Sequence, residues 1–305
     1  MIAYIFPGQG SQSPGMGKDL YDSFSEAREI YERARKITGK DFAAISFEGS
    51  AEVLSQTENT QPCLFLHSSA LLHSLGSWAR FQGCAGHSLG EYSALYAAKV
   101  LSFEDALNAV VRRGELMSRA EAGGMLVPLG AKSEVVEHIV EELAGRGPIT
   151  VANYNAPGQL VVSGKESLIE EAEKLFDAEK SARRVIRLPV SGAFHSPLME
   201  EASAEMAGIL NELEFEPPKV DFFANASGCR EKSPDRIREL LIDQITHPVL
   251  WIQQVESMKE QGFTEFVEVG VGKVLRGLIR RIDRNLETGG ISSAEDVDNL
   301  TQPGK

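Results

Sequence analysis

Cysteine is scarce in this 305-residue chain, with three in total at positions 63, 84 and 229 and no C-x-x-C pair. An odd, scattered set supports neither a disulfide framework nor a zinc site, and it suits a reducing compartment. Basic residues are in deficit: 31 Lys and Arg stand against 44 Asp and Glu, for a net charge of −13. A chain of that sign is repelled by phosphate backbones and anionic bilayers, so neither nucleic acid nor membrane is an expected partner. No stretch reaches the roughly 18 consecutive apolar residues of a membrane span. The opening Met1-Ile2-Ala3-Tyr4-Ile5-Phe6 lacks a basic lead and is too short an apolar run for a secretory signal, so a cytoplasmic protein is expected. Internal repeats, low-complexity tracts and evident linkers are also missing. At 42% hydrophobic content the chain is able to bury a sizeable core without staples.

What stands out is Gly86-His87-Ser88-Leu89-Gly90. It fits G-x-S-x-G, in which a serine sits on a sharp strand-to-helix turn and projects its hydroxyl into a cleft. Flanking glycines have a mechanical reason there, because a strained backbone pressed against a second segment leaves no room for side chains. Small residues before it (Gly83, Cys84, Ala85) and a helix-forming run after it (Glu91 to Lys99) supply the context. The alternative is a glycine-rich turn whose serine merely caps a helix.

The surrounding pattern is α/β. Ile2 to Phe6 reads as a buried strand ended by a Pro7-Gly8-Gln9-Gly10-Ser11-Gln12 loop, and a helix is expected over Leu20 to Ile37. Thr60-Gln61-Pro62 is expected to open a further helix to about Leu75, and Ser102 to cap one running to about Ala120. Between Gly124 and Pro189 the texture becomes self-contained, in the order strand, helix, strand, strand, helix, strand. That βαββαβ order is ferredoxin-like. It reads as an insert over 124–189 into a larger α/β unit formed by 1–123 and 190–305, where strands are expected again at Val220 to Ala224 and Thr264 to Val269. The last twenty residues are polar, with at most a short helix at Ala294 to Leu300.

A nucleophilic serine needs a base and a group to orient that base. Of six histidines, His67, His73 and His138 fall within expected helices, and His87 adjoins the serine on a turn, where it supports the elbow. His247 precedes a proline and is a second candidate. His195, on a glycine-containing loop just before the Ser196-Pro197 helix start, is the best placed, since a helix N-terminus disfavours imidazolium and keeps a base neutral. Arg113 lies on the apolar stripe of its helix, between Val110 and Met117, and the pattern alone favours a structural ion pair over ligand binding. Gly270-Val271-Gly272-Lys273 lacks P-loop spacing and reads as a tight strand-to-helix turn.

Several separated motifs, in order, resemble one family: Pro7-Gly8-Gln9-Gly10-Ser11-Gln12, Gly86-His87-Ser88-Leu89-Gly90-Glu91-Tyr92, Arg113-Gly114, Asn153-Tyr154-Asn155-Ala156-Pro157-Gly158-Gln159, Gly192-Ala193-Phe194-His195-Ser196 and Glu268-Val269-Gly270. Over residues 1 to about 285 the chain is similar to the malonyl-CoA:acyl carrier protein transacylases of bacterial fatty-acid synthesis. The resemblance implies an α/β-hydrolase-like large subdomain with the ferredoxin-like one inserted. It implies Ser88 as nucleophile, His195 as base, and Gln9 with the Leu89 N–H as oxyanion hole. It implies Arg113 holding the malonyl carboxylate, with Phe194 and Asn155 as further substrate-binding residues, Phe194 at the place that separates malonyl from bulkier units. Leu250, just before Trp251 where relatives often carry glutamine, is expected to orient His195 through its backbone carbonyl.

The implied reaction is ping-pong transfer of malonyl from malonyl-CoA to the phosphopantetheine thiol of acyl carrier protein, by a monomer with no metal or other cofactor. Arg183, Arg184, Arg187 and the Arg280 to Arg284 stretch are candidates for meeting the acidic carrier protein, with solvated surface charge as the alternative. A freestanding acyltransferase of a polyketide or malonate pathway and a serine thioesterase or hydrolase on the same elbow are the rival functions.

Overall fold

A computed structural model describes residues 1–119, 123–190 and 192–302. Among the described residues, ten strands form two sheets: β1 (Ile2–Phe6), β2 (Gly83–Gly86), β3 (Gly124–Leu129), β4 (Ile149–Ala156), β5 (Gln159–Gly164), β6 (Arg184–Arg187), β7 (Asp221–Phe223), β8 (Arg230–Glu231), β9 (Glu265–Val269) and β10 (Glu287–Ile291). The larger sheet runs β10-β9-β1-β2-β7-β8 and is parallel except for β8, which pairs antiparallel with β7. The smaller runs β4-β5-β3-β6 and is antiparallel throughout, with helices at Ser133–Ala144 and Glu166–Ala178, so the strand-helix order over this stretch is βαββαβ.

β1 shows why the larger sheet is central. Ala3 and Ile5 face a core with Trp251, Phe263 and Phe266, while Tyr4 and Phe6 face a second core with Phe65, Leu71 and Tyr92. Alternate residues of one strand are therefore buried on opposite faces, as a parallel sheet covered on both sides requires. The helix Thr57–Leu75 is buried without a break from Thr60 to Leu71. The smaller sheet has its own core, in which Ile139, Val162, Ile169 and Phe176 are buried. It is stitched to the rest through β4, where Tyr154 N–H donates to the Val249 carbonyl and Val249 N–H to that of Ala152, both at 2.9 Å.

Several boundaries differ from the sequence expectation. The helix expected over Leu20 to Ile37 is two, Lys18–Ser23 and Ser25–Thr38, because Phe24 is extended. The helix expected to open at Thr60 begins at Thr57, with Pro62 inside it; the Thr60 hydroxyl donates to the Leu54 carbonyl and caps nothing. Ser102 does cap the helix Phe103–Arg119, accepting from Asp105 N–H, whereas Ala120 lies outside the described residues. The polar C-terminal stretch contributes both β10, at the edge of the sheet beside β9, and the helix Ala294–Thr301 with a Ser293/Asp296 capping box.

Candidate active site

Parallel strands end on one edge of a sheet, and here three loops meet on that edge. β1 ends at Phe6, level with Gly86 of β2, so the Pro7 to Gln12 loop lies against the turn carrying Ser88. β7 ends just before Asn225. The turn allows no side chain at either flanking glycine: a Cβ on Gly86 would lie 1.9 Å from the Gly90 carbonyl oxygen, and one on Gly90 would lie 2.1 Å from that of Phe6. Ser88 itself has φ 51°, a left-handed conformation costly to a residue with a Cβ. Side chains hold it there from both sides. Asn225 Oδ1 accepts the Ser88 N–H at 2.7 Å, and Gln244 Nε2 donates to the Ser88 carbonyl at 2.8 Å.

Ser88 Oγ lies 2.8 Å from His195 Nε2. His195 Nδ1 lies 2.7 Å from the Gln244 carbonyl, which only accepts, so Nδ1 carries the proton and Nε2 is free to take that of Ser88. Burial first, and Arg113 second, push the His195 pKa down to about 3. His195 is neutral, mainly because it is desolvated.

The orienting carbonyl belongs to Gln244, not to Leu250. The Leu250 carbonyl accepts from Gln254 N–H at 2.9 Å and so is spent at the start of helix Trp251–Glu260. Gln244 caps the C-terminus of helix Pro234–Asp243, where a helix leaves carbonyls unpaired. That position was the one signal in the sequence that could have found it.

Arg113 is 1% exposed. Its Nη1 donates to Gln61 Oε1 at 2.8 Å, and its Nη2 to Gln244 Oε1 at 2.9 Å and to Ser88 Oγ at 3.1 Å. All three partners are neutral, so the ion pair favoured by the sequence pattern is not what holds it. Its Nε–H has no hydrogen-bond partner among the described residues. A buried cation in that condition is suited to an incoming anion.

These groups line a cleft of about 320 Å³ whose walls include Gln9, Leu89, Arg113, Met117, Met125, Asn153, Phe194 and His195. Gln9 Nε2 donates to Thr57 Oγ1 at 3.3 Å. Asn155 is not among the lining residues; its Oδ1 lies 2.6 Å from His87 Nε2, where it holds the histidine of the elbow against Trp251. His247, the second candidate base, is exposed, with Nδ1 against the Asp243 carbonyl.

The glycine turn after β9 is structural. Gly270 approaches Pro7 so closely that a Cβ would come within 2.5 Å of its ring, and the helix start beyond it is capped by Glu268, which accepts the N–H groups of Leu275 and Arg276. A helix N-terminus already holding a carboxylate is no phosphate site. Among the basic candidates, Arg187 is neutralised by Glu166 and Glu173, whereas Arg183, Arg184 and Arg284 are exposed.

The acyl transferase domain model matches residues 3–298. The chain belongs to the acyl transferase family. Within that family it is 38% identical to the malonyl CoA-acyl carrier protein transacylase of Bacillus subtilis, over 99% of this chain and 96% of the relative. The crystal structure of the acyl-carrier-protein S-malonyltransferase of Bartonella henselae matches with a TM-score of 0.93 at 36% identity, covering 99% of this chain and 98% of that one. A malonyl-transacylase in complex with its holo type II PKS acyl-carrier protein matches with a TM-score of 0.93 at 34% identity, over 98% of each chain. Ser88, the neutral His195 and the buried Arg113 thus line one cleft of an acyl transferase, an arrangement suited to moving a charged acyl group.

Proposed function

We infer that this enzyme transfers a malonyl group from malonyl-CoA to the phosphopantetheine thiol of acyl carrier protein. The observation that carries this reading is Arg113, a buried guanidinium with neutral partners, one hydrogen bond from the Ser88 hydroxyl. A malonyl group esterified to Ser88 bears its carboxylate one methylene beyond the ester carbonyl, within reach of that guanidinium.

His195 Nε2 takes the proton of Ser88 as Oγ attacks the thioester carbonyl. Gln9, its side-chain amide turned to Thr57, contributes a backbone N–H, and with the N–H of Leu89 it holds the oxyanion. Collapse expels coenzyme A, whose sulfur takes the proton from His195, and leaves malonyl-Ser88. The phosphopantetheine thiol then gives its proton to His195 and attacks the ester, and Ser88 is reprotonated as it leaves. Phe194 packs against the acyl group. No metal or other cofactor takes part. Residues 124–189 form one wall of the cleft as a subdomain inserted between 1–123 and 190–305, and a monomer suffices. Fatty-acid supply and a freestanding polyketide role share this chemistry.

Purified enzyme mixed with malonyl-CoA should show a malonyl mass adduct that Ser88→Ala abolishes, and the malonyl group should pass to added holo acyl carrier protein. An adduct persisting on Ser88→Ala contradicts the nucleophile. Release of free malonate at the same rate with and without carrier protein makes the enzyme a hydrolase.

A further inference from the structure

Glu91, in the first turn of helix Gly90–Ala97, is 1% exposed and has no part in the chemistry above. Its Oε2 accepts from Gln244 Nε2 at 2.6 Å and its Oε1 from the Asn225 backbone N–H at 3.0 Å. It therefore holds both residues that grip the Ser88 backbone.

The Gln244 amide is the critical link. A side-chain amide has two nearly isosteric ends, and only its partners decide which end points where. Both protons on Gln244 Nε2 are directed at acceptors, the Ser88 carbonyl and Glu91 Oε2, which leaves Oε1 facing Arg113. The reverse orientation would set an NH₂ against a guanidinium. Glu91 is also a buried carboxyl across that amide from the buried Arg113, which among the described residues has no carboxylate hydrogen-bond partner of its own; burial pushes the Glu91 pKa up to about 7, against the Asn225 N–H, the Gln244 amide and Arg113, which favour its charged form.

We propose that Glu91 is a positioning residue for acyl selectivity: through the Gln244 amide it sets the guanidinium of Arg113 in the orientation that receives the substrate carboxylate. This rests on the malonyl-transfer reading. A plain structural role, an acidic residue at a helix N-terminus, would affect stability and all acyl donors alike.

The test is a double-mutant cycle on the full-length enzyme, reading the rate of acyl-Ser88 formation from malonyl-CoA and from acetyl-CoA by intact mass. In Glu91→Gln, position 91 retains an acceptor for Asn225 but presents an NH₂ to the NH₂ of Gln244. The malonyl-to-acetyl ratio of kcat/KM should fall by about tenfold or more, carried mostly by the KM for malonyl-CoA. In a Gln244→Leu background the same substitution should change the ratio by less than about twofold, because the intermediary is gone. If Glu91→Gln does not fold, Glu91→Asp carries the test: it keeps the charge, withdraws it by one methylene, and should lower the ratio by several-fold. An unchanged ratio, equal losses for both donors, or independent effects in the cycle overturn the proposal. Absence of malonyl-Ser88 in the unaltered enzyme would instead overturn the functional reading.

Discussion

Arg113 Nη2 donates to Ser88 Oγ across 3.1 Å, so the buried guanidinium and the hydroxyl of the glycine-flanked turn are in direct contact. The contact spans 25 residues of sequence and ties the helix Phe103–Arg119 to the elbow. In the proposed mechanism, that hydrogen bond sets the distance between the atom that would acquire the acyl group and the cation suited to read its far end.

Truncating that cation should therefore separate the two acyl donors. Arg113→Ala is expected to lower kcat/KM for malonyl-CoA by roughly 10² or more, since each charge-assisted hydrogen bond to a carboxylate contributes about 1.5–3 kcal/mol. Acetyl loading, which has no carboxylate to lose, should be spared or improved. Competition between the two donors, read as the mass of the acyl-enzyme, checks this; an unchanged preference returns Arg113 to a structural role.

Asn225 should matter to both stability and turnover. It is fully buried, accepts the Ser88 N–H, and donates to the Gly86 carbonyl at 2.6 Å. Asn225→Ala orphans both of those backbone groups, at a cost of about 1–3 kcal/mol each. A melting temperature lowered by several degrees should accompany a fall in kcat with little change in the KM for malonyl-CoA, as the left-handed Ser88 relaxes. A variant that melts and turns over like the parent would show that the elbow is held by other means.

The pH dependence follows from His195. A base must be neutral to act, and burial pushes this one down to about 3. Acyl-serine formation from acetyl-CoA should therefore show no histidine-dependent loss between about pH 8 and 5, where an ordinary histidine of pKa about 6.5 would titrate. Stability carries the opposite burden. In the unfolded chain the same histidine binds a proton near pH 6.5, well before the folded one does, so folding stability declines as pH falls from about 6.5 toward 3. His67, pushed down to about 4 by burial, adds to the same slope. Rapid-quench loading across this range checks the first statement, and a half-maximal rate near pH 6.5 would refute it.

Not all of the site could be read from the chain. Ser88 and His195 were singled out by local patterns, a glycine-flanked turn and a loop before a helix start, whereas the apolar stripe carrying Arg113 pointed to an ion pair and only the family resemblance pointed it at a substrate. Gln244, Asn225 and Glu91 were not singled out, because single amides and one helical carboxylate follow no spacing rule. The contacts of Arg113 with Gln244, Ser88 with Asn225 and Glu91 with Gln244 join residues 131, 137 and 153 positions apart. Leu250 was the wrong orienter for a related reason. Its carbonyl is taken by the Gln254 N–H at the start of one helix, and the carbonyl left for His195 is that of Gln244 at the end of another, a pairing set by how the segments pack. β10 escaped notice because Glu287-Thr288-Gly289-Gly290-Ile291 has little strand propensity; it is a strand through its pairing with β9.

Local covalent geometry and periodicity, then, set the elements and their order. Glycines at 86 and 90 permit the turn, a continuous apolar run makes β1 a strand buried on both faces, and the βαββαβ order makes the second sheet. Those properties act over a few residues, so they are written in the sequence itself. Which neutral side chain grips the serine, which carbonyl aims the histidine, and what faces the buried arginine were decided only when distant segments packed. Hydrogen-bond partnership in a water-free interior is a property of the assembled core.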